Sequence, residues 1–208
     1  MKRVFVDTPA GQIHCRTEGN GEPLLLLHQV PSSSSEFSDV IPILGQQFRV
    51  LAMDLPLFGD SYKTTGEPEV EDMAQAVIDF LNALRIKKTH IAGHHTGACV
   101  AVELSVGHPE RVQKLILSAC PSWTSEEGLK WLNSSLYRKL EVTPDGWFMQ
   151  YIWDFVIQRI PQDRMDKAYD FALDYMKTGS RAEAGHRAAF RYDTLSKLKK
   201  IRQPTLAV

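Results

Sequence analysis

The sequence Gly93-His94-His95-Thr96-Gly97 lies where a strand signal changes directly into a helix signal. Residues 89–93 predict a short strand, and residues 96–106, which are rich in small side chains, predict a helix. The two glycines have the spacing of a G-x-S-x-G turn, which lets the strand and the helix approach closely and holds the middle side chain above the sheet in a strained backbone conformation. The middle residue here is His95, where that motif has serine. The backbone N–H of Thr96 would point into the same space as one half of an oxyanion hole.

The first 120 residues alternate strand and helix signals around this turn. Strands are predicted at residues 4–6, 13–16, 24–27, 50–53, 89–93 and 115–119, and helices at 33–44, 71–84 and 96–106. The first two strands flank a turn and predict a hairpin, whereas the apolar run 24–27 predicts a strand buried on both faces. The helix at 33–44 is predicted from the capping-box spacing of Ser33 and Glu36, although Pro42 falls inside it. Strands separated by helices indicate an α/β fold with a mostly parallel, doubly wound sheet.

The composition changes after residue 121. All four tryptophans lie between residues 121 and 153, and 13 of the 19 aromatic residues lie between 121 and 192. Helical spacing dominates there, and the next buried strand is predicted only at 204–208. We therefore interpret the chain as an α/β core (1–121), a helical cap over the strand ends (122–190) and a return to the core (191–208). The aromatic residues either pack the cap onto the sheet or line a ligand pocket beneath it, and we expect pocket lining for some of them.

The overall composition limits the classes of function. The chain has 208 residues, a formal net charge of -1, 43% hydrophobic residues and 24% charged residues, as is typical of a soluble globular protein. This charge argues against general binding to nucleic acid or to an anionic membrane. Purely apolar runs such as residues 24–27 are far shorter than the roughly 20 residues of a membrane-spanning helix. The early acid Asp7 argues against a signal peptide, and three widely spaced cysteines favour a reducing compartment, so we expect a cytoplasmic protein.

At these motifs the chain resembles the α/β-hydrolase superfamily, in particular lid-bearing members such as epoxide hydrolases, haloalkane dehalogenases and carbon–carbon bond hydrolases. The resemblance covers nearly the whole chain. It is carried by LLLLHQVP at residues 24–31, DLPLFGDS at 54–61 and GHHTG at 93–97, with weaker marks at 108–112 and 201–208. In that family the catalytic acid commonly follows the strand matched by the last residues of this chain, and the histidine base lies further on. The resemblance therefore implies that a C-terminal part with helices, acid and base is absent.

The chain departs from the family pattern in the nucleophile and in one oxyanion loop. His95 occupies the nucleophile position, and Gln29 replaces the usual glycine after His28. By resemblance, Val30 would supply a second oxyanion N–H beside that of Thr96. A neutral imidazole at position 95 could attack an acyl carbon and form an acyl-imidazole, or it could act as a general base. Alternatively, the nucleophile has been lost and the pocket only binds.

Further candidates surround this position. The predicted substrate-binding residues lie near the oxyanion loop and in the aromatic segment: His28, Gln29, Trp123, Trp131, Trp147 and Trp153. The candidate replacement hydroxyls are those of Ser34, Ser35 and Thr96. His186 is excluded as the base because it precedes the last strand.

Neither a metal nor a cofactor is expected. The nearby His28, His94 and His95 invite a zinc hypothesis, but neighbouring side chains such as those of His94 and His95 diverge and would not converge on one ion. The sequence contains no P-loop, G-x-G-x-x-G or H-E-x-x-H motif. Asp54, in the DLPLFGDS turn, is expected to fix a loop by bonding backbone N–H groups.

Two classes of function stay open at this point. The first is an enzyme, either a hydrolase of a small, largely apolar ester, amide or carbon–carbon bond substrate, or a lyase or cofactor-free oxygenase of the same fold. The second is a non-catalytic small-ligand binder or degenerate hydrolase. The expected partner is a small molecule, and a homo-oligomer is left open because the last strand is expected to be uncovered.

Overall fold

The computed structural model describes residues 1–134 and 140–208. The strands are β1 (Lys2–Thr8), β2 (Gly11–Glu18), β3 (Glu22–Leu27), β4 (Phe48–Met53), β5 (Thr89–His94), β6 (Val112–Ser118) and β7 (Thr205–Ala207). The helices are α1 (Ile41–Leu44), α2 (Val70–Ala83), α3 (Thr96–Gly107), α4 (Ser125–Leu132), α5 (Trp147–Ile157), α6 (Met165–Thr178), α7 (Ala184–Arg191) and α8 (Thr194–Leu198). From β3 to β6 strands and helices alternate, and in the described part of the chain helices then follow one another until β7.

The described strands form one sheet of order β1-β2-β4-β3-β5-β6-β7. β1 pairs with β2 and β2 with β4 in antiparallel fashion, while β3, β4, β5, β6 and β7 pair in parallel. The predicted hairpin and the mostly parallel α/β sheet are thus confirmed. The carboxyl ends of β3, β4, β5 and β6 meet at one edge, where an open α/β sheet binds its ligands.

Strand β3 is buried on both faces, as its unbroken apolar run predicts. Leu25 and Leu27 belong to the large apolar cluster that also contains residues of α2 and α3. Leu24 and Leu26 belong to a second cluster, with Ile41 of α1, on the opposite side. Side chains alternate between the two faces of a strand, so a run of leucines can fill two cores at once.

The single helix predicted at residues 33–44 is wrong. The chain instead makes a 3₁₀ turn at Ser34–Phe37 and then the short helix α1, in which Pro42 occupies the first turn. The side chain of Ser33 does accept from a backbone N–H, that of Ser35. The carboxylate of Glu36, however, accepts from the N–H of Gln29 and not from that of Ser33, so no capping box forms.

The helices between β6 and β7 pack in two ways. Residues of α5 and α6 form an apolar cluster of their own, whose buried members include Phe148, Ile152 and Tyr175. The small residues Ala184 and Ala188 of α7 instead join the main cluster of the sheet. Among the described residues, no helix combines the length and the apolar character that a bilayer crossing requires.

A close backbone approach in the core lies at Gly97, in the first turn of α3. A Cβ atom on Gly97 would stand 2.1 Å from the carbonyl oxygen of Leu27, and one on Gly93 would stand 2.4 Å from the carbonyl oxygen of Gly97. Real Cβ atoms do not come so near to backbone oxygens. The two glycines of the turn therefore let α3 lie directly against β3 and β5.

We expect Gly97→Ala to lower the free energy of unfolding by about 3 kcal/mol, because the added methyl group has to push α3 away from β3. Urea denaturation would measure this loss. Gly107→Ala, at the far end of the same helix, is the matched control, since its added Cβ would meet only the end of the Glu103 side chain at 3.4 Å. Equal stabilities of the two variants would contradict the close approach.

Candidate active site

The turn between β5 and α3 holds His95 in the predicted strained conformation. Its φ is 50° and its ψ is -114°, a region that non-glycine residues rarely adopt. Its N–H donates to the carbonyl of Ser118 on β6 at 2.9 Å, and its carbonyl accepts from the N–H of Ala98 at 2.9 Å. These two bonds fix the turn on both sides. The side chain of His95 stays partly exposed at the carboxyl edge of the sheet.

The imidazole of His95 lies against a second imidazole, that of His186 on α7. The two rings meet edge to face, with their centroids 5.9 Å apart and an interplanar angle of 87°. Nδ1 of His186 is 2.9 Å from a carboxylate oxygen of Glu183. The carboxylate accepts a hydrogen bond from Nδ1–H and so orients the ring of His186. The side chains of Glu183, His186 and His95 thus lie in contact one after another.

Sequence reasoning set His186 aside, yet the structure places it beside His95. The close docking of α7 explains this position. A Cβ on Gly185 would stand 2.7 Å from Cγ2 of Val30, so only a glycine lets the helix approach the loop after β3 so closely. A glycine immediately before a histidine is a weak signal, and nothing in the local sequence shows which loop it meets.

Burial, together with the smaller effect of the neighbouring imidazoles of His186 and His94, lowers the pKa of His95 to about 4. His95 is therefore neutral near pH 7, as a nitrogen nucleophile has to be. His94 does turn elsewhere, since its Nδ1 lies 3.1 Å from the hydroxyl of Ser118. Thr96 has no exposed surface, and its hydroxyl lies 3.4 Å from Nδ1 of His95.

A cavity of about 480 Å³ has one of these two histidines, His186, in its wall. One wall is the segment after β3, including Gln29, Val30, Ser35 and Glu36, and the opposite wall comes from the helices between β6 and β7. The main side chains of that second wall are those of Phe155, Arg159, Lys167, Phe171, Tyr175 and His186. His186 belongs to the wall, and His95 adjoins it through the ring contact. The structure thus brings the predicted residues Gln29 and Val30 to a ligand-sized space.

None of the four tryptophans predicted to bind substrate lies in the wall of this cavity. Trp123 stacks on Phe190, Trp147 stacks on Tyr151, and Trp153 packs against the apolar cluster of α5 and α6. Trp131 is 51% exposed on α4. Of the described aromatic side chains, those in the wall are Phe155, Phe171 and Tyr175 instead. Helical spacing identifies a helix, but it does not show which of its faces turns toward the ligand.

His28, also predicted to contact substrate, does not line this cavity. Its side chain is fully buried. Its Nδ1 lies 2.7 Å from the carbonyl oxygen of Gln29, and its Nε2 accepts from the N–H of Leu55 at 2.9 Å. A carbonyl only accepts and an N–H only donates, so the ring is neutral with its proton on Nδ1. Burial lowers its pKa accordingly, and His28 ties the end of β3 to the end of β4.

The expected loop-fixing role of Asp54 has a clear geometric basis. Its carboxylate accepts from the N–H of Ser34 at 2.7 Å, from the N–H of Asp60 at 2.8 Å and from Nδ1 of His14 at 2.8 Å. Burial opposes ionisation of this group, but these donors, His14 first, hold its pKa well below its usual range. The carboxylate thereby joins the loops after β3 and β4.

One group of described residues has the spacing of metal ligands. The ligand atoms of His14, Asp54 and Asp60 all lie within 4.8 Å of one another. Nε2 of His14, however, accepts from Nε of Arg3 at 3.1 Å, and Asp60 pairs with Arg3 and with Lys177. These cationic side chains already neutralise the carboxylates, so the group fits a hydrogen-bonded network better than a cation site.

The hydroxyls of Ser34 and Ser35, which were predicted as substitutes for the nucleophile, are either buried or already hydrogen-bonded. The hydroxyls of Ser33 and Ser35 donate to one carboxylate oxygen of Asp174 at 2.7 and 2.8 Å. Burial raises the pKa of Asp174, and these two hydrogen bonds lower it only in part. Ser34 is fully buried. The contact of Asp174 with the serines joins α6 to the wall of the cavity that follows β3.

We expect Asp54→Asn to lower the free energy of unfolding by about 3 kcal/mol at neutral pH, because one amide oxygen cannot accept from three donors. The pKa of Asp54 is depressed in the folded state, so its contribution is complete above pH 4 or so and is lost as the pH falls. The difference from the native chain should therefore shrink in acid. Urea denaturation as a function of pH would measure it, with the exposed Asp163→Asn as control. A difference that does not change with pH would contradict this role.

Comparison with known proteins agrees with this geometry. A family model described as alpha/beta hydrolase fold matches residues 22–208. A soluble epoxide hydrolase of Corynebacterium sp. (strain C12) is 36% identical over 106 residues, which are 51% of this chain and 37% of that protein. A fluoroacetate dehalogenase of Burkholderia sp. is 29% identical over 133 residues, which are 61% of this chain and 44% of that protein.

A solved structure, that of a hydrolase from Pseudomonas aeruginosa PA01, superposes with a TM-score of 0.80 at 22% identity, covering 99% of this chain and 79% of that one. The match thus extends over nearly the whole chain, whereas the segments aligned with the two curated proteins span less than half of either protein. With the family model covering residues 22–208, the resemblance carried by the three motifs is confirmed. The chain belongs to the α/β-hydrolase fold family.

Proposed function

We propose that this chain carries the reactive centre of a hydrolase that acts on a small, largely apolar ester, amide or carbon–carbon bond substrate. The observation behind this proposal is the contact between His95, held at the strained turn, and His186, which Glu183 orients. A neutral imidazole placed beside an oriented second imidazole has the two groups that acyl transfer needs, a nucleophile and an acid–base catalyst. The relatives named as an epoxide hydrolase and a dehalogenase support a hydrolytic reaction in this fold.

For an ester, the proposed first step is attack by the free ring nitrogen of His95 on the acyl carbon. A nitrogen–carbon bond forms, and the carbon–oxygen bond of the ester then breaks. The protonated ring of His186 gives its proton to the departing alkoxide, and Glu183 stabilises that ring while it is charged. The N–H of Thr96, at the first position of α3 and without a partner inside the helix, would bind the oxyanion together with the N–H of Val30.

In the second step water hydrolyses the acyl-imidazolium. His186, now neutral, accepts a proton from the water as its oxygen attacks the acyl carbon. The carbon–nitrogen bond breaks and releases the acid, His95 leaves as a neutral imidazole, and His186 is again protonated. In this scheme the acid–base pair comes from α7 and the residue before it, within the chain itself.

We further propose that residues 122–190 act as a cap over the cavity, with residues 1–121 and 191–208 as the core. Phe155 and Phe171, from α5 and α6, line the cavity opposite the loop after β3 and support this division. These rings also favour a largely apolar small molecule as the ligand. The rival function is a non-catalytic binder, which would use the same cavity and leave His95 chemically idle.

We expect the native chain to hydrolyse p-nitrophenyl acetate with a burst of p-nitrophenolate and to carry one acetyl group on His95, detectable by peptide mass spectrometry. His95→Ala should abolish the burst. His186→Gln should keep it, because p-nitrophenolate leaves without a proton, but should slow the steady state about 100-fold, since water then lacks its base. His108→Gln, at the opposite end of α3, is the control.

Two outcomes would contradict the proposed mechanism. Equal turnover by the native chain and by His95→Ala would remove His95 from the reaction. If the native chain is inactive and His95→Ser gains activity, the binder is the correct function and the fold merely retains the position of a lost nucleophile. A lyase or an oxygenase would leave p-nitrophenyl acetate uncleaved by all variants.

The pH dependence of the burst provides a separate prediction. Protonated imidazole has no free electron pair, and the pKa of His95 is about 4. The burst rate should therefore stay level as the pH falls from neutral and decline only as the pH passes through about 4, with folding verified by circular dichroism at each point. A decline centred near 6.5, the ordinary value for histidine, would show that the reacting imidazole is not the buried one.

A further inference from the structure

The wall of the cavity contains a carboxyl group for which the mechanism above has no use. Glu36 lies in the 3₁₀ turn Ser34–Phe37, directly after the loop that carries Gln29 and Val30. Its side chain is only partly exposed, and it lines the cavity together with Val30 and Phe171. One of its oxygens accepts from the N–H of Gln29 at 3.1 Å. The carboxyl group is thereby anchored at the wall, beside the loop that is expected to bind the oxyanion.

Among the described residues, the cations near Glu36 are engaged with other groups. Lys167 pairs with Asp39 at 2.7 Å, and the guanidinium of Arg159 lies over the ring of Phe155, 3.7 Å from its centroid. The titratable and charged groups that share the cavity wall with Glu36 or act on it from α6 are Asp39, Arg159, Lys167, Asp170, Asp174, Tyr175 and His186. A buried carboxyl without a paired cation is costly to ionise.

The protonation of Glu36 follows from these surroundings. Burial, with a smaller contribution from the nearby carboxyl group of Asp174, raises the pKa of Glu36 to about 8 against the hydrogen bonds from Gln29 and Ser32, which lower it. The group therefore keeps its proton near pH 7. A protonated carboxyl is a hydrogen-bond donor, whereas an ionised one only accepts.

We propose that Glu36 is a ligand-recognition residue, whose un-ionised carboxyl group donates a hydrogen bond to an uncharged oxygen, such as a ketone or ester carbonyl, of the molecule bound in the cavity. Its position beside Gln29 and Val30 puts this donor next to the loop that would bind the developing oxyanion. The statement that the bound molecule is a substrate rests on the proposed function, but the recognition itself does not. Ionisation of Glu36 replaces the donor with a negative charge that repels the carbonyl oxygen, so binding weakens as the pH rises through about 8.

The test compares acetophenone, which has a carbonyl oxygen, with ethylbenzene, which has the same ring and no oxygen. Binding to the native chain is measured by calorimetry or ligand-observed NMR at about pH 7 and about pH 9.5. We expect acetophenone to bind about 5- to 10-fold more weakly at the higher pH, as loss of one hydrogen bond implies, and ethylbenzene to bind equally at both. Glu36→Gln keeps an N–H donor without an ionisable group, so its acetophenone binding should not change with pH.

A second measurement follows the proton directly. In a carbon-13 NMR titration of the glutamate side chains, one carboxyl carbon of the native chain should titrate near pH 8, and Glu36→Gln should lack that signal. Glu126→Gln, on the exposed pair of Glu126 with Lys130, is the matched control and should behave like the native chain in both experiments.

Three results would overturn the proposal: no preference for the ketone over the hydrocarbon at neutral pH, the same pH dependence in Glu36→Gln as in the native chain, or no glutamate titrating above about pH 6. None of these measurements requires turnover. Failure of hydrolysis by His95 therefore leaves this test intact, and failure of this test leaves the acetylation of His95 to be decided separately.

Discussion

The contact of Gly97 with the end of β3 is the constraint on which the site depends. Because no side chain separates them, the first turn of α3 lies directly on the carbonyls of Leu27 and His28. The strained residue His95, the first N–H groups of α3 and the loop that begins at His28 are thereby brought to one place on the sheet edge. A wider separation would leave the imidazole of His95 and the first N–H groups of α3 too far from that loop to meet one ligand. The positive φ of His95 is tolerated because the surrounding backbone hydrogen bonds determine it.

Buried polar groups then hold the surrounding loops through hydrogen bonds. Asp54 and His28 join the loops after β3 and β4 through backbone donors and acceptors, since an unsatisfied polar group in this interior would cost several kcal/mol. Asp174 does the same between α6 and the serines of the cavity wall. The mobile parts of an active site are usually its loops. Here hydrogen bonds to the side chains of Asp54, His28 and Asp174 hold the loops nearest His95, in addition to apolar packing.

Local patterns in the sequence predicted much of the fold, but they did not predict the contacts between segments that are distant in the sequence. Strand β3 and the GHHTG turn are determined by residues that are adjacent in the sequence, so periodicity and glycine spacing were sufficient to predict them. Ser33 and Glu36 have the spacing of a capping box, but the carboxyl group of Glu36 accepts from the N–H of Gln29 instead. This contact depends on how the chain folds back, which the spacing does not show. The tryptophans lie outside the cavity wall because the packing partners of a helix determine which of its faces turns toward the cavity. The contact of His95 with His186 joins residues 91 positions apart, and no local signal records it.

The two ways in which the late helices pack have an evolutionary consequence. The helix that brings His186 to His95 is anchored in the main core by alanines, while α5 and α6, which supply Phe155 and Phe171, rest on an apolar cluster of their own. Changes in the size or shape of those aromatic side chains can be absorbed within that separate cluster. Such a protein can change which compounds fit its cavity through substitutions in one cluster, while the contact of His95 with His186 is preserved in the other.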